Sequence, residues 1–169
     1  PKDIPLKSEE LFRLAMTHRS AAKDSVRDSY ERLEFFGDAV LGLIIAQYLY
    51  ENHPDWDQGM MSKARSSVVQ EQPLADTAKL LGLEKCLILG QGEEVTGGRT
   101  RPSVLCDLFE AVVGAIYIEA GVEKARWFVL EQLHPNLMEI GTGNVSPHDY
   151  KSKLQETAQA IWRKAPSYS

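Results

Sequence analysis

The sequence has little cysteine: Cys86 and Cys106 are its only two, among 169 residues. Neither sits in a CxxC or Cys/His spacing. A thiolate zinc site and a disulfide framework are therefore not expected, and a reduced, cytoplasmic setting is. No uninterrupted run of about 18 apolar residues occurs, so no membrane span is expected. The nearest approach, "AVLGLIIAQYLY", reads as a buried helix. The opening "PKDIPLKSEE" lacks the apolar region of a signal peptide, and none is expected. Positive charge is not in surplus: 19 Lys and Arg stand against 24 Asp and Glu, for a net charge of −5. A generally basic nucleic-acid binder is thereby excluded, a local basic groove is not. Internal repeats, low-complexity tracts and convincing strand pairs are also missing.

What is present is helical periodicity. Ser8 can cap a helix carrying Leu11, Leu14 and Ala15. Residues 20–29 read as a loop, and Asp28 with Glu31 resembles a capping box that would open a helix running to about Glu51. Residues 52–59 read as a connection and 60–70 as a helix. Pro73 is expected to begin the next helix, stopped by Gly82. Residues 83–102 read as an ordered loop, 103–121 as an apolar helix closed by Gly121, and 122–133 as a further helix. Residues 134–149 have the composition of a linker. The fold class is all-α.

Within this pattern "ERLEFFGDAVLG", from Glu31, is anomalous, because acids are among the residues least often buried. At about 100° per residue, Glu34 and Asp38 lie about 40° apart around the axis, with Glu31 within about 60° of Glu34. The remaining faces carry Leu33, Phe35, Phe36, Val40, Leu41, Leu43 and Ile44, so the helix is expected to be buried nearly all round. A second apolar helix carries Asp107 and Glu110 on one face. Gly37 and Gly114 would let the two helices approach closely, with the acid stripes facing. Like charges 4 Å apart cost roughly 4 kcal/mol at an effective dielectric of 20. Either some carboxyls are protonated or a divalent cation sits among them. An oxygen-only set selects Mg²⁺ or Mn²⁺, and points to phosphodiester hydrolysis with water as nucleophile. On the residues alone, structural ion pairs account for the acids equally well.

The same stretch closely resembles the ribonuclease III signature, usually ERLEFLGDAVL. "LFRLAMTHRS", "GMMSKARSSVV", "LADTAKLLGL" and "LGQGEEVTGGRTRPSVLCDLFEAVVGAIYIEAG" resemble further segments of that family, over roughly residues 6–137. The resemblance implies the family's endonuclease fold in residues 1–138, assembled as a two-fold homodimer. It implies Mg²⁺-dependent cleavage of double-stranded RNA in RNA processing, leaving 5′-phosphate and 3′-hydroxyl ends with two-nucleotide 3′ overhangs. The family's metal ligands and catalytic acids fall on Glu34, Asp38, Asp107 and Glu110. Phe35 matches an aromatic ball that enters a socket on the partner subunit; its other reading is a core Phe. Glu31 is given a secondary role in the valley or interface. Gln58 stands where the family often has Glu, and it cannot add negative charge. A catalytically silent RNA-binding dimer is the alternative. Lys63, Arg65, Arg99 and Arg101 lie in matching segments and are expected to meet RNA phosphates. Beyond a linker at 139–148, residues 149–169 look like the first helix of a double-stranded-RNA-binding domain, with Lys151, Gln155 and Glu156 on its RNA side. The sequence given does not hold the rest of such a domain, so an unpartnered apolar face is expected there.

Overall fold

The computed structural model describes residues 4–22 and 25–141. The chain divides into two compact units, Pro1–His134 and Pro135–Ser169. Six helices belong to the first: α1 Glu9–Met16, α2 Glu31–Asn52, α3 Gln58–Val68, α4 Glu71–Leu80, α5 Gln91–Val95 and α6 Pro102–Gln132. A seventh, α7, spans His134–Gly141. No strand forms among the described residues, only an isolated bridge between Thr17 and Ile88.

Local chemistry sets most boundaries. Ser8 caps α1 by accepting from the Leu11 amide at 3.2 Å, and Asp57 caps α3 through the Met60 amide at 2.8 Å. Pro73 lies in the third position of α4, still within the first turn, where a missing N–H costs nothing. The helix therefore starts two residues earlier than expected. Gly121 (φ 80°, ψ 177°) breaks α6 into two helical halves, at the stop read from sequence.

Three expectations are corrected. Asp28 closes a 3-10 turn rather than capping α2. The cap position is Tyr30, with no side-chain cap: the Asp28 amide is taken by Ser25 O at 2.9 Å, and the Tyr30 amide donates to Thr17 O at 2.8 Å, which fixes the entry of the chain. The loop at 83–102 contains α5 and two 3-10 turns. Residues 134–141, expected as linker, are helical, with Pro135 placed in the first turn.

The core forms where α2 lies along α6, with α4 and α1 also packed on α6. Leu33, Val40, Leu41, Ile44, Ile45 and Leu49 of α2 are buried against it. Phe109 and Phe128 stack with centroids 6.0 Å apart in its interior. By length and composition α2 alone among the described residues could cross a bilayer; its packing on α6 accounts for that apolarity. It is not buried all round, however. Phe35, Leu43 and Tyr50 remain 82%, 59% and 75% exposed, and the helical repeat sets them on one face.

Candidate active site

The site is made by the crossing of α2 and α6. A Cβ at Gly37 would overlap the Glu110 carbonyl oxygen, and one at Gly114 would overlap that of Leu33 and lie 3.3 Å from Gly37 Cα. Only glycine permits this backbone approach. It brings the α2 stripe, Glu34 and Asp38, against the α6 stripe, Asp107 and Glu110. Glu34, Asp107 and Glu110 are half-buried and Asp38 is exposed.

The electrostatics confirm the juxtaposition. Burial, then the charges of Asp107, Glu31 and Asp38, push Glu34 up to about 7. Burial, then Asp38, Asp107 and Glu34, push Glu110 up to about 7. Asp107 is raised by burial and by Glu71 at the start of α4. Each stripe thus feels the other. Among the described residues no Lys, Arg or His forms an ion pair with any of the four acids. A hard, oxygen-rich donor set with no internal cation fits Mg²⁺ or Mn²⁺.

Three further residues meet the cluster that sequence reasoning passed over. Cys106 places its sulfur 3.9 Å from Glu110 Oε1, and donor atoms of Cys106, Asp107 and Glu110 all lie within 4.8 Å of one another. Burial holds the thiol well above its ordinary range, so it serves as a weak donor to Glu110 rather than a thiolate ligand. The i, i+4 spacing was the available signal. Glu71 adds its charge to Asp107. Tyr30, one turn before Glu34 at the start of α2, is buried with a hydroxyl that has no hydrogen-bond partner among the described residues.

The other expected residues scatter. Glu31 turns to Arg19, 3.4 Å away, and accepts from Ser29 Oγ at 3.3 Å. Gln58 donates to Ser62 Oγ at 3.0 Å. It also lines a groove of about 330 Å³ with Ala46, Leu49, Tyr50, Met61, Ser62 and Arg65. Lys63 and Arg65 are exposed on α3. Arg99 is spent inside the protein: it donates to Glu84 O at 2.5 Å, Leu87 O at 2.9 Å and both Glu94 oxygens at 2.9 and 2.5 Å. Arg101 pairs with Glu93. Lys151, Gln155 and Glu156 lie outside the described residues.

With this geometry in hand, the relatives are informative. The model of the "Ribonuclease-III-like" family matches residues 8–137. A Ribonuclease 3 from Syntrophomonas wolfei is 44% identical over 99% of this chain, which spans 72% of that protein. One from Pelotomaculum thermopropionicum is 43% identical over 92% of this chain, which spans 66% of that protein. The nuclease domain of ribonuclease III from Campylobacter jejuni superposes with a TM-score of 0.73 at 38% identity. The superposition covers 78% of this chain and 90% of that one. The chain belongs to the ribonuclease III family, and by that membership it is an endoribonuclease.

Proposed function

We propose that the chain hydrolyses phosphodiester bonds of double-stranded RNA with Mg²⁺, or Mn²⁺ in its place, held by Glu34, Asp38, Asp107 and Glu110. The observation that carries this reading is the close α2–α6 crossing that sets two carboxylate stripes face to face, with Asp107 and Glu110 oxygens within 4.8 Å of one another and no ion-pair partner among the described residues. When bound, the cation supplies charge neutralisation at the reacting phosphate. The protein's part is to hold the carboxylate oxygens. The close helix crossing fixes their spacing, burial strengthens their interaction with a cation, and the raised proton affinity of Glu34 and Glu110 makes cation and proton competitors near pH 7. Products would carry 5′-phosphate and 3′-hydroxyl ends.

The reading extends to a homodimer. The exposed Phe35, Leu43 and Tyr50 face of α2 continues at Tyr50 into the groove between α2 and α3, where Ala46, Leu49 and Met61 supply an apolar floor beside Gln58, Ser62 and Arg65. Exposed apolar patches of this kind mark contact surfaces. Phe35, protruding from one subunit, would enter the groove of the other. The Campylobacter jejuni nuclease domain likewise has a region involved in dimer formation. Two sites facing across one valley would cut both strands and leave two-nucleotide 3′ overhangs. Residues 1–138 would form this catalytic unit and 149–169 the start of an RNA-binding domain, joined by 139–148, whose first residues to Gly141 belong to α7. Lys63 and Arg65, exposed on α3, would meet phosphates; Arg99 is held by the Glu84 and Leu87 carbonyls and Glu94, and Arg101 pairs with Glu93. The setting would be the cytoplasm and the role RNA processing.

The test is incubation with a long RNA duplex and Mg²⁺, then with EDTA. Short duplex products that require the metal are expected. A gel shift without cleavage under any divalent cation would instead establish the catalytically silent binder.

A further inference from the structure

Tyr30 is a polar side chain in a place that a Phe would fill without penalty. It is 1% exposed, and its hydroxyl oxygen is buried without a hydrogen-bond partner among the described residues. The ring cannot easily turn away. Its own amide is tied to Thr17 O at 2.8 Å, and the His18 ring packs edge-on against it with centroids 5.6 Å apart. His18 is itself held, its Nδ1 accepting from the Ser20 amide at 3.1 Å. The charges that bear most on the phenol are those of Asp107, then Glu34, Glu31 and Glu93. Tyr30 stands one helical turn before Glu34 on the acid-bearing side of α2, its carbonyl accepting from the Glu34 amide at 2.9 Å. A hydroxyl buried there without a partner has one useful capacity, to donate a hydrogen bond.

Carboxylates that hold a metal are themselves commonly oriented by hydrogen bonds from a surrounding layer of groups. We infer that the buried Tyr30 hydroxyl is that outer donor here, a positioning residue that donates to the Asp107 carboxylate, directly or through one water, when a divalent cation is held. This rests on the metal reading of the four acids. Tyr30 would touch neither the cation nor the RNA; it would select the orientation in which Asp107 turns an oxygen to the cation. Loss of such an outer partner typically weakens metal binding about 10–100-fold.

The experiment compares wild type, Tyr30→Phe and Glu110→Gln as metal-free full-length chains. Mn²⁺ is titrated in and free Mn²⁺ is read by electron paramagnetic resonance. The unfolding midpoint of each protein is measured in EDTA. Tyr30→Phe is expected to bind Mn²⁺ about tenfold more weakly, while its midpoint in EDTA stays level or rises. Glu110→Gln is expected to lose tight binding. Wild-type Mn²⁺ affinity in Tyr30→Phe, alongside weakened binding in Glu110→Gln, overturns the role of Tyr30 and leaves the metal site standing. A lowered midpoint with unchanged affinity assigns Tyr30 to the core alone and overturns it too. Equal binding by all three proteins removes the metal reading itself, and this inference with it.

Discussion

Two regions of this protein concentrate carboxylates, and they treat them in opposite ways. In the segment from Gly90 to Arg101, Glu93 and Glu94 each face an arginine, Arg101 and Arg99. The Arg99 guanidinium holds Glu94 below the ordinary carboxylate range. At the α2–α6 crossing, Glu34 and Glu110 have acids near them and no cation paired with them among the described residues, and burial with those charges pushes both up to about 7. The chain places arginines where acids are to serve structure, and among the described residues none pairs with the acids of the crossing. That difference is what supports the proposed cation site at the crossing.

The contrast can be broken most severely by Glu110→Gln. Neutralising one acid should lower duplex cleavage on the order of 10³-fold, since the cation's contribution is several kcal/mol and each tenfold is about 1.4. Initial rates at saturating Mg²⁺ would show it, and a retained rate would return the acids to a structural role. Gly37→Ala comes next. The new methyl would strike the Glu110 carbonyl and cost about 1–3 kcal/mol or more, read by urea unfolding. Cleavage should fall with it, because the stripes are pushed apart. Arg99→Ala attacks the other region. It removes bonds to the Glu84 and Leu87 carbonyls, and about 1–2 kcal/mol of stability is expected to go, its ion pair with Glu94 being partly solvent-screened. The response of the unfolding midpoint to Mg²⁺ should be untouched.

A pH series sharpens the comparison further. Glu34 and Glu110 have folded values near 7 against an ordinary 4.5. Between those values the native state binds more protons than the unfolded state, so their contribution is fully present below about 4.5 and is lost as pH rises through about 7. The metal-free midpoint should therefore decline over that window, and saturating Mg²⁺ should flatten the decline. Gln58→Glu carries the smallest expected effect, a modest rise in cleavage measured beside wild type.

Much of this was legible in the sequence because it rests on helical geometry. The 100° turn per residue places Glu34 with Asp38 and Asp107 with Glu110, and Gly37 and Gly114 announce the close crossing. The unread parts depend on partners distant in sequence. Asp28 and Glu31 have capping-box spacing, yet the Asp28 amide is claimed by Ser25 and the Glu31 carboxylate by Arg19 and Ser29. Arg99 looks like a phosphate contact until the Glu84 and Leu87 carbonyls are placed beside it. Helical periodicity put the apolar face of α2 in the core because core and contact surfaces share one composition; the family resemblance alone singled out Phe35 as a contact residue, and in the fold it is exposed. Tyr30 carries no motif of its own, and its significance appears only when its burial beside the acids is seen.

The central claim is that the unpaired acids of the crossing hold a divalent cation. Its most direct test is the unfolding midpoint at pH 7.5 as a function of Mg²⁺ concentration, for wild type and Glu110→Gln. A ligand that binds only the folded state stabilises it by RT ln(1 + [L]/Kd), about 2.7 kcal/mol at a hundredfold excess over Kd. The wild-type midpoint is predicted to climb with Mg²⁺ along that curve while Glu110→Gln stays nearly level. A wild-type midpoint indifferent to Mg²⁺, or a Glu110→Gln midpoint that climbs equally, would contradict the account.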